Sequence, residues 1–320
     1  MIAGLMPAAS AQDRRELVVF GEFFLDLVFY DLPRIPRMGE EVKTQSCARF
    51  PGGGLATTAL VASALGTPTR VITRVGRDAL NGREWHKLLR AGISTKGCQF
   101  ERKLPTAISV CAAFNGDRMM ITHDAINQHL ERLFLQKSAQ AQILSARHLH
   151  MACAMWPPQK WTSLLAAVRR RGLSLSADIG WNPEVFQSPQ LRGLLTQVEF
   201  LFPNEEEAKA MAGEQSVETA ARTLARWVRT PVIKLGKDGS LAIRDGKILR
   251  VKSIKVRAVD ATGSGDAFNG GFLHGHLAGW LLEQCLRAGN ICGALAATQA
   301  GGSSAIPTRK RLLELMKKLQ

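Results

Sequence analysis

From residue 146 onward the chain alternates short apolar runs with amphipathic ones, and this order restricts the fold more than any other feature of the sequence. Strand-like runs at 148–151, 173–177, 199–202 and 232–235 are separated by helix-like runs at 161–171, 189–195, 205–212 and 217–228. Such alternation predicts a mostly parallel sheet with helices on both faces, because parallel neighbours need a crossover and each crossover helix buries a face. A further strand is predicted at 16–20. In open α/β sheets ligands bind beyond the carboxyl ends of the strands. Asp26 is expected there, since 17–20 runs directly into Gly21-Glu22-Phe23-Phe24-Leu25-Asp26. A carboxylate at the end of a buried strand is costly unless it has a task, and a plain turn residue is the other reading.

The stretch richest in chemistry is Val259-Asp260-Ala261-Thr262-Gly263-Ser264-Gly265-Asp266-Ala267-Phe268-Asn269-Gly270-Gly271-Phe272. Residues 255–259 read as a short strand ending at Asp260, and Gly263 and Gly265 permit backbone angles and close approaches that a Cβ would block. Ala267, Phe268, Gly271, Phe272, Leu273 and Leu277 then form the buried face of a helix. Residues 263–266 fall at its N-terminus, where unpaired N–H groups and the helix dipole favour an anion such as a phosphate. A carboxylate there needs a reason. As general base, Asp266 would take the proton of a hydroxyl attacking phosphorus while the glycine-loop N–H groups stabilise the transferring phosphoryl. The alternative is that Asp266 caps the helix, and the short motif alone leaves both open.

Composition narrows the class. The 320 residues are 46% hydrophobic and 22% charged, enough for a large core and neither disordered nor membrane-spanning; no apolar run approaches the roughly 20 residues of a transmembrane helix. Residues 1–12 contain Ala9-Ser10-Ala11 but lack the basic start and unbroken apolar core of a signal peptide, so 1–14 is expected to be a loose tail. Cys47, Cys98, Cys111, Cys153, Cys285 and Cys292 form no C-x-x-C pair, which points to reduced thiols in the cytoplasm. Lys and Arg account for the net charge of +15 but are spread along the chain, with clusters only at 169–171 and 309–318. That is a solvated basic surface that would draw in an anionic nucleotide; no nucleic acid or membrane partner is expected. His148 and His150 share a strand face without a third ligand, and His274 and His276 do not share a helix face, so neither pair predicts a metal.

The segment 260–266 followed by Ala-Phe-x-Gly-Gly-Phe resembles the C-terminal signature of the ribokinase-like (PfkB) carbohydrate kinases. Pro51-Gly52-Gly53-Gly54-Leu55-Ala56-Thr57-Thr58-Ala59, a glycine cluster opening a helix closed by Gly66, resembles the family's first signature, G-G-x-x-x-N-x-A, with Thr57 at the Asn position. Val75-Gly76-Arg77-Asp78 with the helix 82–91, Phe202-Pro203-Asn204-Glu205-Glu206-Glu207 (the family's N-x-x-E) and Lys234-Leu235-Gly236-Lys237-Asp238-Gly239 (its L-G-x-x-G) agree, and the small-residue helix around Asn290 matches its adenine-pocket wall. No Walker A loop is present.

The resemblance spans about 17–307 and implies a three-layer α/β/α fold with a mostly parallel central sheet, a single domain over 1–320, and a small β-sheet lid built from about 28–50 and 101–123, the latter a hairpin turning at Asn115-Gly116. It implies ATP-dependent phosphorylation of a primary hydroxyl of a sugar or sugar derivative. Asp266 would act with Gly263, Ser264 and Gly265, while Asp26, Gly52, Gly53 and Thr57 hold the sugar. Asn204, Lys234, Gly236, Gly239, Thr262, Gly263, Gly265 and Asn290 would serve ATP. Asn204 and Glu207 would organise Mg²⁺ through water, Glu205 and Glu206 serving only the helix dipole. A monovalent cation and a homodimer complete the expectation. A nucleoside kinase of the same fold, and a sugar-binding regulator without turnover, are the alternatives.

Overall fold

The computed structural model describes residues 16–114 and 117–318. The predicted tail and the Asn115-Gly116 turn lie outside them. Eight strands form one sheet in the order Lys247–Val251, Ser240–Arg244, Thr230–Lys234, Phe200–Leu201, Ser174–Asp178, His148–Ala152, Leu17–Gly21 and Thr69–Ile72. The last six pair in parallel, with Leu17 opposite both His148 and Thr69, and the other two form an antiparallel edge hairpin. Strand residues alternate between two cores, as a sheet buried on both faces requires: Val18 and Phe20 pack with Trp161 and Leu165, whereas Leu17 and Val19 pack with Leu55 and Phe272. Gly21, Ala152, Asp178 and Lys234 therefore finish at one common edge of the sheet. No helix among the described residues is long and apolar enough to cross a membrane.

A separate four-stranded sheet has the order Ser46–Gly52, Phe24–Tyr30, Ala107–Phe114, Asp117–His123. It corrects the placement of Asp26. Phe23, fully buried, ends the passage from the first strand, and the chain resumes as a new strand at Phe24 in which Asp26 pairs with Phe50 and Ser109. Asp26 thus lies inside a strand of the small sheet, not on a loop beyond the large one.

Residues 255–259 are not a strand either. Val256 and Val259 are exposed, and the Val259 and Asp260 N–H groups donate to the Ala297 carbonyl at the end of the helix Leu282–Ala296. The expected helix at 189–195 is the shorter Leu191–Leu195, preceded by Pro183–Gln187, whose start Asn182 caps by accepting from the Val185 N–H. The helix expected at 217–228 ends as a regular element at Leu224.

Candidate active site

The helix Ser264–Leu277 begins at the carboxyl edge of the large sheet with Gly263 in the left-handed region (φ 71°), and no side chain caps it. Contact requires glycine at 263 and makes 265 tight. A Cβ on Gly263 would lie 2.7 Å from Gly302 Cα, and one on Gly265 would lie 3.1 Å from the Lys234 ammonium. Asp260 ties the two loops together, accepting from the Thr262 N–H at 2.8 Å and the Gly301 N–H at 2.9 Å. At this helix start the Ser264 N–H bonds to the Ala261 carbonyl, and the hydroxyls of Thr262 and Ser264 are buried without a hydrogen-bond partner. A concave loop with orphaned donors and a neighbouring ammonium fits an anion of phosphate type.

The absence of a side-chain cap removes the capping reading of Asp266. Asp266 sits in the first turn but does not bond to the helix start. Its Oδ1 instead faces the next helix, Gly53–Ala64, 3.1 Å from where a Cβ of Gly54 would stand, while its carbonyl accepts from the Thr58 hydroxyl. Burial pushes the Asp266 carboxyl up to about 7; Asp178, Asp26 and Glu207 add to that rise, and Lys234 opposes it. Lys234 itself is held above its ordinary value: burial would lower it, but Asp178, Glu207 and Asp266 more than compensate.

Asp26 reaches the same helix start from the small sheet. Its carboxyl group packs over Gly52, where a Cβ would overlap Cγ at 2.1 Å, and Gly53 takes a positive φ of 79° with its Cα against the Glu22 carbonyl. Burial, then Asp260, raises the Asp26 carboxyl to about 7. Thr57 is buried one turn into the helix, with its hydroxyl 3.4 Å from the Cβ position of Gly263. The fold therefore brings Asp26, Gly52, Gly53, Thr57, Gly263, Gly265, Lys234 and Asp266 around two helix N-termini.

The remaining expected residues stand differently. Asn204 and Glu207 form a reciprocal cap on the helix Glu205–Ala212, at 2.9 Å and 2.8 Å, while the Glu207 charge still acts on Lys234 and Asp266. No group of three or more His, Cys, Asp or Glu side chains among the described residues could hold a metal ion. Asn290 is buried and donates to the carbonyls of Val251 and Lys252. Gly239 (φ 97°) packs against the same Val251 carbonyl, and Gly236 forms a turn beside it. Asn290 and Gly239 thus shape the segment after Val251 and do not meet Asp266. Two residues escaped the sequence reading: Asp178 and Asn269, which with Lys234 form one bonded cluster. Asp178 carried the signal used for Asp26, a carboxylate closing an apolar run.

A mostly parallel sheet flanked by helices, with a small second sheet beside its carboxyl edge, defines the ribokinase-like fold class. A ribokinase of Arabidopsis thaliana, solved in complex with ribose and ATP, superimposes with a TM-score of 0.82 at 24% identity, covering 95% of this chain and 99% of that one. The chain belongs to the pfkB family of carbohydrate kinases, whose model matches residues 14–309. It is similar to a ribokinase of Haemophilus influenzae, 27% identical over 95% of this chain and 99% of that protein, and to a cytidine kinase of Thermococcus kodakarensis, 30% identical over 86% and 93%. The chain is a carbohydrate kinase, as its signatures imply.

Proposed function

We propose that this kinase transfers the terminal phosphoryl group of ATP to a primary hydroxyl of a sugar or sugar derivative, with Asp266 as general base. The observation that carries the reading is the Asp266 carboxylate itself: unspent on capping, raised to about 7 and adjacent to an anion-receptive loop. A carboxylate that titrates near neutrality is ionised often enough to accept a proton and basic enough to pull on it. As the new oxygen–phosphorus bond forms and ADP leaves, the hydroxyl proton passes to Asp266. ATP supplies the phosphoryl group, and the first-turn N–H groups at Gly263–Gly265, with the hydroxyls of Thr262 and Ser264 and the Lys234 ammonium, stabilise charge on it.

Asp26 accepts sugar hydroxyls above Gly52 and Gly53, whose missing Cβ atoms let the sugar approach the backbone, and Thr57 offers its hydroxyl from below. The small sheet acts as the lid that carries Asp26. Gly236, Gly239 and Asn290 hold the segment that walls the nucleotide. Asn204 and Glu207 would hold Mg²⁺ only through water, and a Mg²⁺ bound with ATP would neutralise charge on its phosphates. The six free cysteines agree with a cytoplasmic enzyme, and the exposed Met119, Met120 and Ile121 of the outer lid strand suit coverage by a second copy. The test is incubation with ATP, Mg²⁺ and a panel of pentoses, hexoses, sugar acids, sugar phosphates and nucleosides, following ADP release and the mass of the product. A sugar that gains one phosphoryl group supports the reading; ADP release with nucleosides alone would replace it.

A further inference from the structure

Asp178 lies outside every motif that marks the site in sequence, yet three elements converge on its carboxylate. It closes the strand Ser174–Asp178. Lys234, at the end of Thr230–Lys234, donates to its Oδ2 at 2.7 Å, and Asn269 of the Ser264–Leu277 helix donates to the same oxygen at 2.7 Å. The Gly180 N–H donates to Oδ1 at 3.2 Å. Both oxygens are engaged, so the carboxylate cannot turn. Lys234 and Asp178 are only 12% and 10% exposed, and the ammonium sits 3.1 Å from the Cβ position of Gly265, the residue next to Asp266.

A cation in these surroundings has a choice of partner, because Asp178, Glu207 and Asp266 all act on it. Paired with Asp266, it would occupy the oxygen that must accept a proton and would cancel the charge that makes it basic. Paired with Asp178, it leaves Asp266 free and keeps its remaining N–H bonds for the phosphate loop. Burial alone would raise Asp178, but Lys234, with Asn269 assisting, holds its carboxyl below the usual carboxylate range, so it stays charged and keeps the pair. Buried pairs of this kind are poor sources of stability but good sources of geometry.

We propose that Asp178 is a positioning residue for phosphoryl transfer: it holds the Lys234 ammonium against Gly265, facing the transferring group, and keeps it off Asp266. This rests on the reading of Asp266 as the base.

Asp178→Asn preserves size and keeps one acceptor oxygen for Lys234 and Asn269 but removes the charge and the bond from the Gly180 N–H, so Lys234 turns to Asp266. The groups that face Asp266 are Asp178, Lys234, Asp26 and Glu207, and the substitution removes the largest of its negative neighbours. Turnover should fall about 10–100-fold, the range for a misplaced electrostatic group, with the sugar KM near wild type. The acidic limb of kcat/KM for the sugar should move to lower pH, by about one unit. Lys234→Met should move the same limb the other way, because Asp266 then faces only carboxylates. A merely structural Asp178 would reduce the active fraction and leave the limb in place. An unmoved limb in Asp178→Asn overturns the proposal; if that variant does not fold, Lys234→Met decides, and an unmoved limb there overturns it too. Asp266→Asn run in the same assay separates the two readings. Turnover retained in that variant removes the base and the proposal together, whereas turnover lost with both limbs unmoved removes Asp178 alone.

Discussion

Two clusters of buried polar side chains lie on neighbouring strands of one sheet, and they are built on opposite terms. At the amino end of the strands, His148 bridges the Ser174 and Ser176 hydroxyls at 2.6 Å and 2.7 Å, and His150 bonds to Ser176 at 2.8 Å. Burial lowers both imidazoles, His150 to about 4, so these rings stay neutral at neutral pH. At the carboxyl end, about 13 Å further along the strand at roughly 3.3 Å per residue, Asp178, Lys234, Glu207 and Asp266 crowd charges that cannot all be satisfied at once. Neutral donors and acceptors, matched here except for the buried His150 Nε2, hold a fold together. A carboxylate such as Asp266, forced up to about 7 beside a fixed ammonium, costs stability, and such tension is what a phosphoryl-transfer site needs.

The comparison can be broken from either end. The largest of these effects is expected at Asp26, where replacement by Ala removes charge-assisted hydrogen bonds worth about 1.5–3 kcal/mol each. For two such bonds kcat/KM for every accepted sugar should fall at least about a hundredfold, with KM raised, while ATP affinity is kept. Sugar kinetics unchanged in Asp26→Ala would mean that the small sheet covers something other than the acceptor. Next comes His148→Ala, which takes one partner from the buried Ser176 hydroxyl, still bonded to His150, and one from the half-buried Ser174 hydroxyl, and should cost about 1–3 kcal/mol of unfolding free energy in urea. Its turnover should be that of wild type; a large loss of kcat in a folded His148→Ala protein would erase the distinction between the clusters.

A third effect is on the pH dependence of stability at Asp266. Its folded pKa of about 7 lies above the ordinary carboxylate value near 4. Stability from the protonated form is therefore complete below about pH 4 and lost as pH rises through 7. Asp266→Asn removes that loss, so its Tm should exceed wild type above pH 7 and the gain should vanish toward pH 4. A Tm lowered at pH 8 would show that the carboxylate supports the fold.

Much of this was legible before any coordinates. The alternation after residue 146 revealed the parallel sheet because turns separate its apolar runs, and Gly263-Ser264-Gly265-Asp266 announced a helix start that tolerates anions. What failed did so for physical reasons. Phe24 resumes as a strand three residues after Gly21 with no turn signal, so Asp26 was placed on the wrong element. The alternation at 255–259 says nothing of what the strand would pair with, and no partner is there. The edge hairpin was announced by Asp245-Gly246, both at positive φ, but was not read. Asn204 and Glu207 were legible as the start of a helix, where they form a capping box, which leaves their expected role toward Mg²⁺ through water as it stood. Asp178 carried a strand-end signal in the sequence, but its bonding to Lys234 and Asn269, 56 and 91 residues away, was out of reach.

The most direct test of the central claim is single-turnover phosphoryl transfer by Asp266→Asn at pH 8, with nucleotide affinity measured on the same sample. The account predicts a rate at least about 10²-fold below wild type, the scale of lost general-base catalysis, with ATP bound as tightly as before. Transfer at a near-normal rate, in a protein that still binds ATP, would contradict it.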